Sequence, residues 1–160
     1  PALCAGYLGD DGSSGLFTSD GWMLMGDVCT LDDEGYLTVV GRISDIIIRG
    51  GKNISAVVVE DEVTTHPSVA LAAAVAYPDP VFGERVCAYV ELLPGEALDL
   101  EGLLTHLDSR GTSKEIRPER LVILEALPRS SGGKVAKGEL AADARLRSSF
   151  EFSTEETVHG

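Results

Sequence analysis

The apolar positions of this chain come in short blocks, and their spacing changes from block to block. Trp22–Met25 and Tyr36–Val40 are runs of aromatic and β-favouring residues. The Asp32-Asp33-Glu34-Gly35 segment between them has turn composition, so the pair predicts a β-hairpin. Ile46-Ile47-Ile48 is a β-branched triplet closed by Gly50-Gly51. Over Val57–Thr65 the pattern becomes helical: Val59 and Val63 lie four apart, Glu60, Asp61 and Glu62 stand between them, and His66-Pro67 ends the run. Val69–Tyr77 and Val86–Leu93 read as buried strands separated by a proline- and glycine-containing turn. Leu100, Leu103, Leu104 and Leu107 predict a helix over Leu98–Leu107; Leu121–Leu124 predicts a further strand and Gly138–Leu146 a short helix. Pro128–Gly133 is a polar, glycine-rich loop. Two stretches lack such periodicity: residues 1–21, where glycine, serine and aspartate predict loop, and residues 147–160, where a disordered tail is expected.

This order of short strands and helices after Gly41 predicts a small α+β domain, with helices packed on a sheet of a few strands. The segment before Gly41 holds too little apolar surface for a core of its own and reads as the edge of something else. The chain opens on Pro1 with no methionine near it, which is compatible with a fragment or a processed piece.

Charge narrows the functional classes. There are 13 Lys and Arg against 26 Asp and Glu, a formal net charge of −13 over 160 residues. That counts against nucleic-acid or anionic-membrane binding, since both need clustered cations. With 44% hydrophobic and 24% charged residues the chain is ordinary globular material rather than an acidic disordered tail. No transmembrane segment is expected, because no apolar run approaches the ~20 residues needed to cross a bilayer, and no stretch reads as a signal peptide. Cys4, Cys29 and Cys87 are odd in number and widely spaced, which suits unlinked thiols in a reducing compartment and a cytoplasmic location. All three are expected to be buried small side chains rather than nucleophiles. His66 is expected to terminate a helix, and His106 and His159 to lie on the surface. No His, Cys or carboxylate spacing predicts a protein-bound metal.

Three clusters could carry chemistry. Gly26-Asp27 follows the apolar run from Trp22; a carboxylate there can accept from paired ribose hydroxyls, or equally satisfy backbone N–H groups in a turn. In Gly41-Arg42-Ile43-Ser44-Asp45, Arg42 is a rigid cationic fork suited to phosphate or ribose oxygens, or to a surface pair with an Asp. The following Gly50-Gly51 permits close approach of a ligand to backbone, or simply a β-turn. In Pro128-Arg129-Ser130-Ser131-Gly132-Gly133-Lys134, Lys134 can be delivered to a phosphate or carboxylate as a point charge, or be a solvated lysine on a turn. The Walker A spacing is absent.

The clusters gain meaning in order. Gly21–Asp27, then Asp33-Glu34-Gly35-Tyr36, then Gly41-Arg42 with Asp45 and Ile47, then Gly50-Gly51 with Asn53-Ile54 are followed by Glu60, His66-Pro67 with Val69, Pro78-Asp79 with Gly83-Glu84, and Leu127-Pro128-Arg129 with Gly133-Lys134. This series, covering roughly residues 1–146, resembles the C-terminal portion of the adenylate-forming superfamily, whose members include acyl- and aryl-CoA synthetases, luciferases and peptide-synthetase adenylation domains.

The resemblance implies an α+β fold with a short mixed sheet flanked by helices, preceded by a hairpin belonging to a large N-terminal AMP-binding domain. It implies residues 1–43 as the end of that domain, 44–146 as a mobile small domain, and 147–160 as a tail. It implies an AMP-forming acyl-CoA synthetase that uses ATP, with Mg²⁺ arriving on the ATP, a carboxylic acid and CoA, and that is inactive without the large domain. By resemblance Asp27 holds the ribose hydroxyls, Arg42 contacts the nucleotide beside it, and Lys134 is the catalytic lysine bridging carboxylate and α-phosphate. Gly50 and Gly51 line the pantetheine tunnel after rotation about a hinge at Ser44. The context of Lys134 also resembles a target of lysine acetyltransferases and deacetylases, which would remove its charge.

Three positions depart from the family pattern: Met25 stands where Thr is usual, Ser44 where Asp or Lys is usual, and Ala56 where Pro is often found. Gly50-Gly51-Lys52-Asn53-Ile54 looks like CoA ligases, and residues 113–121 look most like medium-chain, cyclic-acid or fatty-acid ligases. An adenylation domain loading a carrier-protein thiol, and a non-catalytic binding module that kept the fold, are the competing readings.

Overall fold

The computed structural model describes residue 15 and residues 17–156. The expected loop over residues 1–21 therefore lies mostly outside the described residues, as do Cys4 and His159. The chain divides into two compact units, residues 1–44 and 45–160.

The first unit carries an antiparallel hairpin, β1 (Asp27–Leu31) and β2 (Leu37–Arg42). Its turn is built by Asp32, whose Oδ1 accepts the backbone N–H groups of Glu34 (3.0 Å) and Tyr36 (2.8 Å). Gly35 there has φ 87°, which favours glycine. The turn lies where the sequence places it, but the first strand does not. Trp22–Met25 is not a strand; Met23 makes only an isolated bridge to Phe17, and pairing starts at Asp27 opposite Arg42. Gly26, at φ 73°, separates the apolar run from the strand.

The second unit holds β3 (Ile46–Arg49), β4 (Lys52–Ser55), α1 (Ala56–Thr64), β5 (Val69–Asp79), β6 (Gly83–Leu92), α2 (Leu100–Ser109), β7 (Arg120–Ile123) and α3 (Lys137–Glu156). The strands form one mixed sheet ordered β4-β3-β6-β5, with β7 also on β6. Only the β6–β7 pair is parallel, joined through α2.

Strand periodicity sorts the core onto two faces. Ala72, Ala74, Val86, Ala88 and Val90 face α1 and α2, where Val59, Val63, Leu103 and Leu107 are buried. Ala73, Val75, Tyr77, Cys87 and Tyr89 face α3 through Leu140 and Ala144. Burial on both faces is why β5 and β6 read as continuous apolar runs. Asp99 caps α2 by accepting the Gly102 N–H at 2.8 Å.

The sequence reading does not anticipate β4, and one expectation is corrected in this unit. β4 is a strand although Lys52 and Asn53 are polar, because only Ile54 enters the core and the two-residue Gly50-Gly51 turn returns the chain onto β3. The tail expected from residue 147 is instead the continuation of α3 as far as Glu156.

Candidate functional site

Asp27 and Arg42 are the first candidates that the fold brings together. As facing residues at the open end of the β1–β2 hairpin they form an ion pair, with Arg42 Nε donating to Asp27 Oδ1 at 3.0 Å. Arg42 remains mostly exposed, and Asp27 is partly so. The Ile43 N–H returns to the Gly26 carbonyl at 2.8 Å, which fixes the backbone on both sides of the pair. Ser44 lies in the 3-10 turn Ile43–Asp45 at the last position of the first unit.

In the second unit Gly50 and Gly51 form the two-residue turn between β3 and β4, with φ of 57° and 82°. Positive φ at both positions is what such a hairpin turn demands, so the turn accounts for the glycines by itself. The two differ in surroundings. A Cβ on Gly50 would come within 3.3 Å of the Phe82 ring, while nothing lies within 4 Å of one on Gly51. Gly51 is therefore the glycine that leaves open space at the turn.

Lys134 sits on the loop between β7 and α3, separate from the glycine turn. Ser130 N–H donates to the Lys134 carbonyl at 2.7 Å, Gly133 N–H to the Ser130 carbonyl at 2.8 Å, and Arg129 pairs with Val135 in an isolated bridge. Arg129 Nη1 donates to the Gly133 carbonyl at 3.1 Å. The backbone is thus pinned, while the Lys134 side chain is exposed and has no ion-pair partner among the described residues.

Residues 58–134 match the family model of the AMP-binding enzyme C-terminal domain. This segment of the second unit belongs to that family. The matched segment reaches Lys134 and begins after Gly50 and Gly51. Over 129 residues the chain is 42% identical to the medium-chain fatty-acid–CoA ligase of Escherichia coli (strain K12), covering 80% of this chain and 23% of that one. Over 134 residues it is 42% identical to a salicylyl-CoA synthase / salicylate adenylyltransferase of Streptomyces sp, covering 84% of this chain and 24% of that one. The ATP-bound MatB structure from Rhodopseudomonas palustris superposes with a TM-score of 0.74 at 31% identity, covering 83% of this chain and 26% of that one. The chain spans about a quarter of the length of the relatives it matches.

Sequence reasoning missed the polar frame of this AMP-binding C-terminal domain. Arg49 binds Glu119 and also donates to the Glu115 carbonyl at 2.6 Å; Lys52 binds the Glu115 carboxylate. Glu84 accepts the Ile48 N–H at 2.7 Å. Only the mixed signs of Arg49, Lys52, Glu115 and Glu119 hinted at such pairing; their partners are 63 to 70 residues apart in sequence. Cys29 is exposed, against the expectation that all the thiols are buried, whereas Cys87 is buried. His106 is not a plain surface residue: its Nε2 lies 3.0 Å from Thr65 Oγ1, and its ring meets His66 edge-on at 4.8 Å. Burial, together with the neighbouring His106, holds the His66 imidazole below its ordinary value. Among the described residues no helix is long and apolar enough to cross a membrane, and no group of three or more His, Cys, Asp or Glu could hold a metal ion.

Proposed function

We propose that this chain is the C-terminal portion of an AMP-forming acyl-CoA synthetase. In the first half-reaction a carboxylate oxygen of the acid attacks the α-phosphorus of ATP, and pyrophosphate leaves with its Mg²⁺. In the second, the sulfur of CoA attacks the acyl carbon, AMP leaves, and the thiol proton passes to solvent. The observation that carries the reading is Lys134: an exposed ammonium on a backbone-pinned turn, at the end of the segment that matches the family. Such a cation stabilises charge on the transferring group, an effect worth ~10²-fold or more in rate.

The other candidates take roles suited to their chemistry. Asp27, oriented by Arg42, holds the ribose hydroxyls, and Arg42 keeps an exposed edge toward the nucleotide. Gly51 leaves room for the pantetheine arm of CoA. Ser44 is the hinge that exchanges Lys134 for Gly51 between the half-reactions, a gating step of the lid type. The partner is a large N-terminal AMP-binding domain of the same protein, and its absence leaves residues 1–160 without turnover. Exposed Trp22, Leu24, Tyr36, Leu37 and Val39 on the first unit support a covering partner there. The exposure of Lys134 also suits acetylation by a lysine acetyltransferase, reversed by a deacetylase. Unlinked thiols suit a cytoplasmic setting.

The complete protein tests this with octanoate and salicylate as acids. Acid-dependent ATP–pyrophosphate exchange should appear and should fall by ~10²-fold or more in Lys134→Ala. Unchanged exchange in that variant would overturn the assignment. Comparing free CoA with a carrier protein as acceptor decides the thiol.

A further inference from the structure

The Gly50-Gly51 turn is held by a closed ring of contacts that starts and ends at Gly50. The Gly50 N–H donates to the Phe82 carbonyl at 2.8 Å. Phe82 is placed by Asp79, whose Oδ1 accepts the backbone N–H groups of Phe82 (2.7 Å) and Val81 (2.9 Å). The other Asp79 oxygen binds Arg85. The Arg85 guanidinium lies 4.7 Å over the Phe82 ring and 4.0 Å from Glu119. Glu119 binds Arg49, the residue before Gly50. Its second oxygen accepts the Val86 N–H at 3.0 Å, so the carboxylate is tied to β6 as well.

This frame exceeds what a two-residue hairpin needs. Two glycines and one pair of ladder bonds close such a turn without side-chain help. Here the turn is fastened to the β5–β6 loop, to β6 and to the segment entering β7. A turn that only reverses the chain gains little from this; a turn that must present an open backbone to a ligand gains a fixed position. Phe82 also sits where it would meet a Cβ on Gly50, so one side of the turn is walled and the open side is Gly51.

We infer that Asp79, Arg85 and Glu119 are positioning residues for acyl transfer to the thiol, acting through Phe82 and Arg49 on the Gly50-Gly51 turn. They touch no reacting atom in this role, and adenylate formation does not depend on them. The inference rests on the reading of the chain as part of an acyl-CoA synthetase.

The test uses the complete protein with octanoate, ATP and free CoA, and reads the half-reactions separately. Arg85→Met should keep ATP–pyrophosphate exchange within ~2-fold and lower the rate of transfer from preformed octanoyl-adenylate to CoA by ~10-fold or more. Arg85→Lys, which restores the charge but not the fork, should recover part of that loss. If Arg85→Met proves unfolded, Phe82→Leu, which keeps the Asp79–Arg85 pair, takes its place with the same expectation. Equal loss in both half-reactions, or no loss in either, overturns the inference. A wild-type protein without acid-dependent exchange would instead sink the reading beneath it.

Discussion

Lys137 Nζ lies 2.8 Å from Glu60 Oε1, and the same Glu60 oxygen accepts the Ala74 N–H at 2.7 Å. One carboxylate thereby joins α1, β5 and the start of α3, and Asp45 adds a second contact to the ammonium at 3.3 Å. All three side chains are three-quarters buried or more. Lys134, three residues earlier, is exposed and unpaired among the described residues. Two lysines on one segment thus have opposite environments. Lys137→Met should lower stability by about 1–2 kcal/mol, because it takes the ammonium away from two partly buried carboxylates. Lys134→Ala should stay within ~0.5 kcal/mol of the parent. Urea unfolding of both variants checks this; equal losses would mean that Lys134 is structural.

Acid should weaken the fold through specific carboxylates. Hydrogen bonds from the Phe82 backbone N–H, Arg85 and Val81 hold the Asp79 carboxyl below its ordinary range, against the opposing pull of burial. Arg147 and the Tyr89 hydroxyl do the same for Asp143, and Lys52 for Glu115. A carboxyl depressed in the folded state contributes stability that is complete above its unfolded value and is lost as pH falls through the folded one. Thermal midpoints should therefore hold above about pH 5 and fall increasingly below about pH 4. Asp79→Asn keeps an acceptor for the two N–H groups but no charge. It should lower the neutral plateau and flatten the acid decline; an unchanged acid limb would show that Asp79 carries none of it.

The two cysteines that the structure describes should react differently. Cys29 is exposed on β1, whereas Cys87 is buried under α3 and its thiol is pushed up to about 12, chiefly by burial. An aromatic disulfide reagent at neutral pH should label Cys29 in the native protein and Cys87 only after denaturation, as peptide mass mapping would report. Rapid native labelling of Cys87 would mean that α3 opens readily from the sheet.

How much of this could be read beforehand follows the range of the interactions. β5, β6, α1 and α2 were legible because burial on two faces, or on one helical stripe, writes a local pattern. β4 was not, since Lys52 and Asn53 mask it, although Gly50-Gly51 is a hairpin signal in itself. Trp22–Met25 misled because apolar residues left exposed carry the same signature as a strand. The candidate residues Asp27, Arg42, Gly50, Gly51 and Lys134 came from motif order. What motif order could not supply is the frame around them. Arg49 meets Glu119 only once β3, β6 and β7 are assembled, and Arg85 meets Asp79 only across the β5–β6 hairpin.

The second unit should fold without the first. Among the described residues, the members of both apolar clusters all lie from Ile47 onward. In the first unit, by contrast, Trp22, Leu31, Tyr36 and Leu37 are each more than 60% exposed. Removing residues 1–44 therefore deletes no described member of either cluster, and it removes exposed apolar surface that favours association. A protein of residues 45–160 should melt cooperatively within a few degrees of the longer chain, since a loss of about 1 kcal/mol would move the midpoint by only ~4–8 °C in a unit of this size. It should also sediment as a monomer at concentrations where residues 1–160 self-associate. Circular dichroism melts and sedimentation velocity measure the two properties. A 45–160 protein without a cooperative transition would show that the second unit depends on residues 1–44.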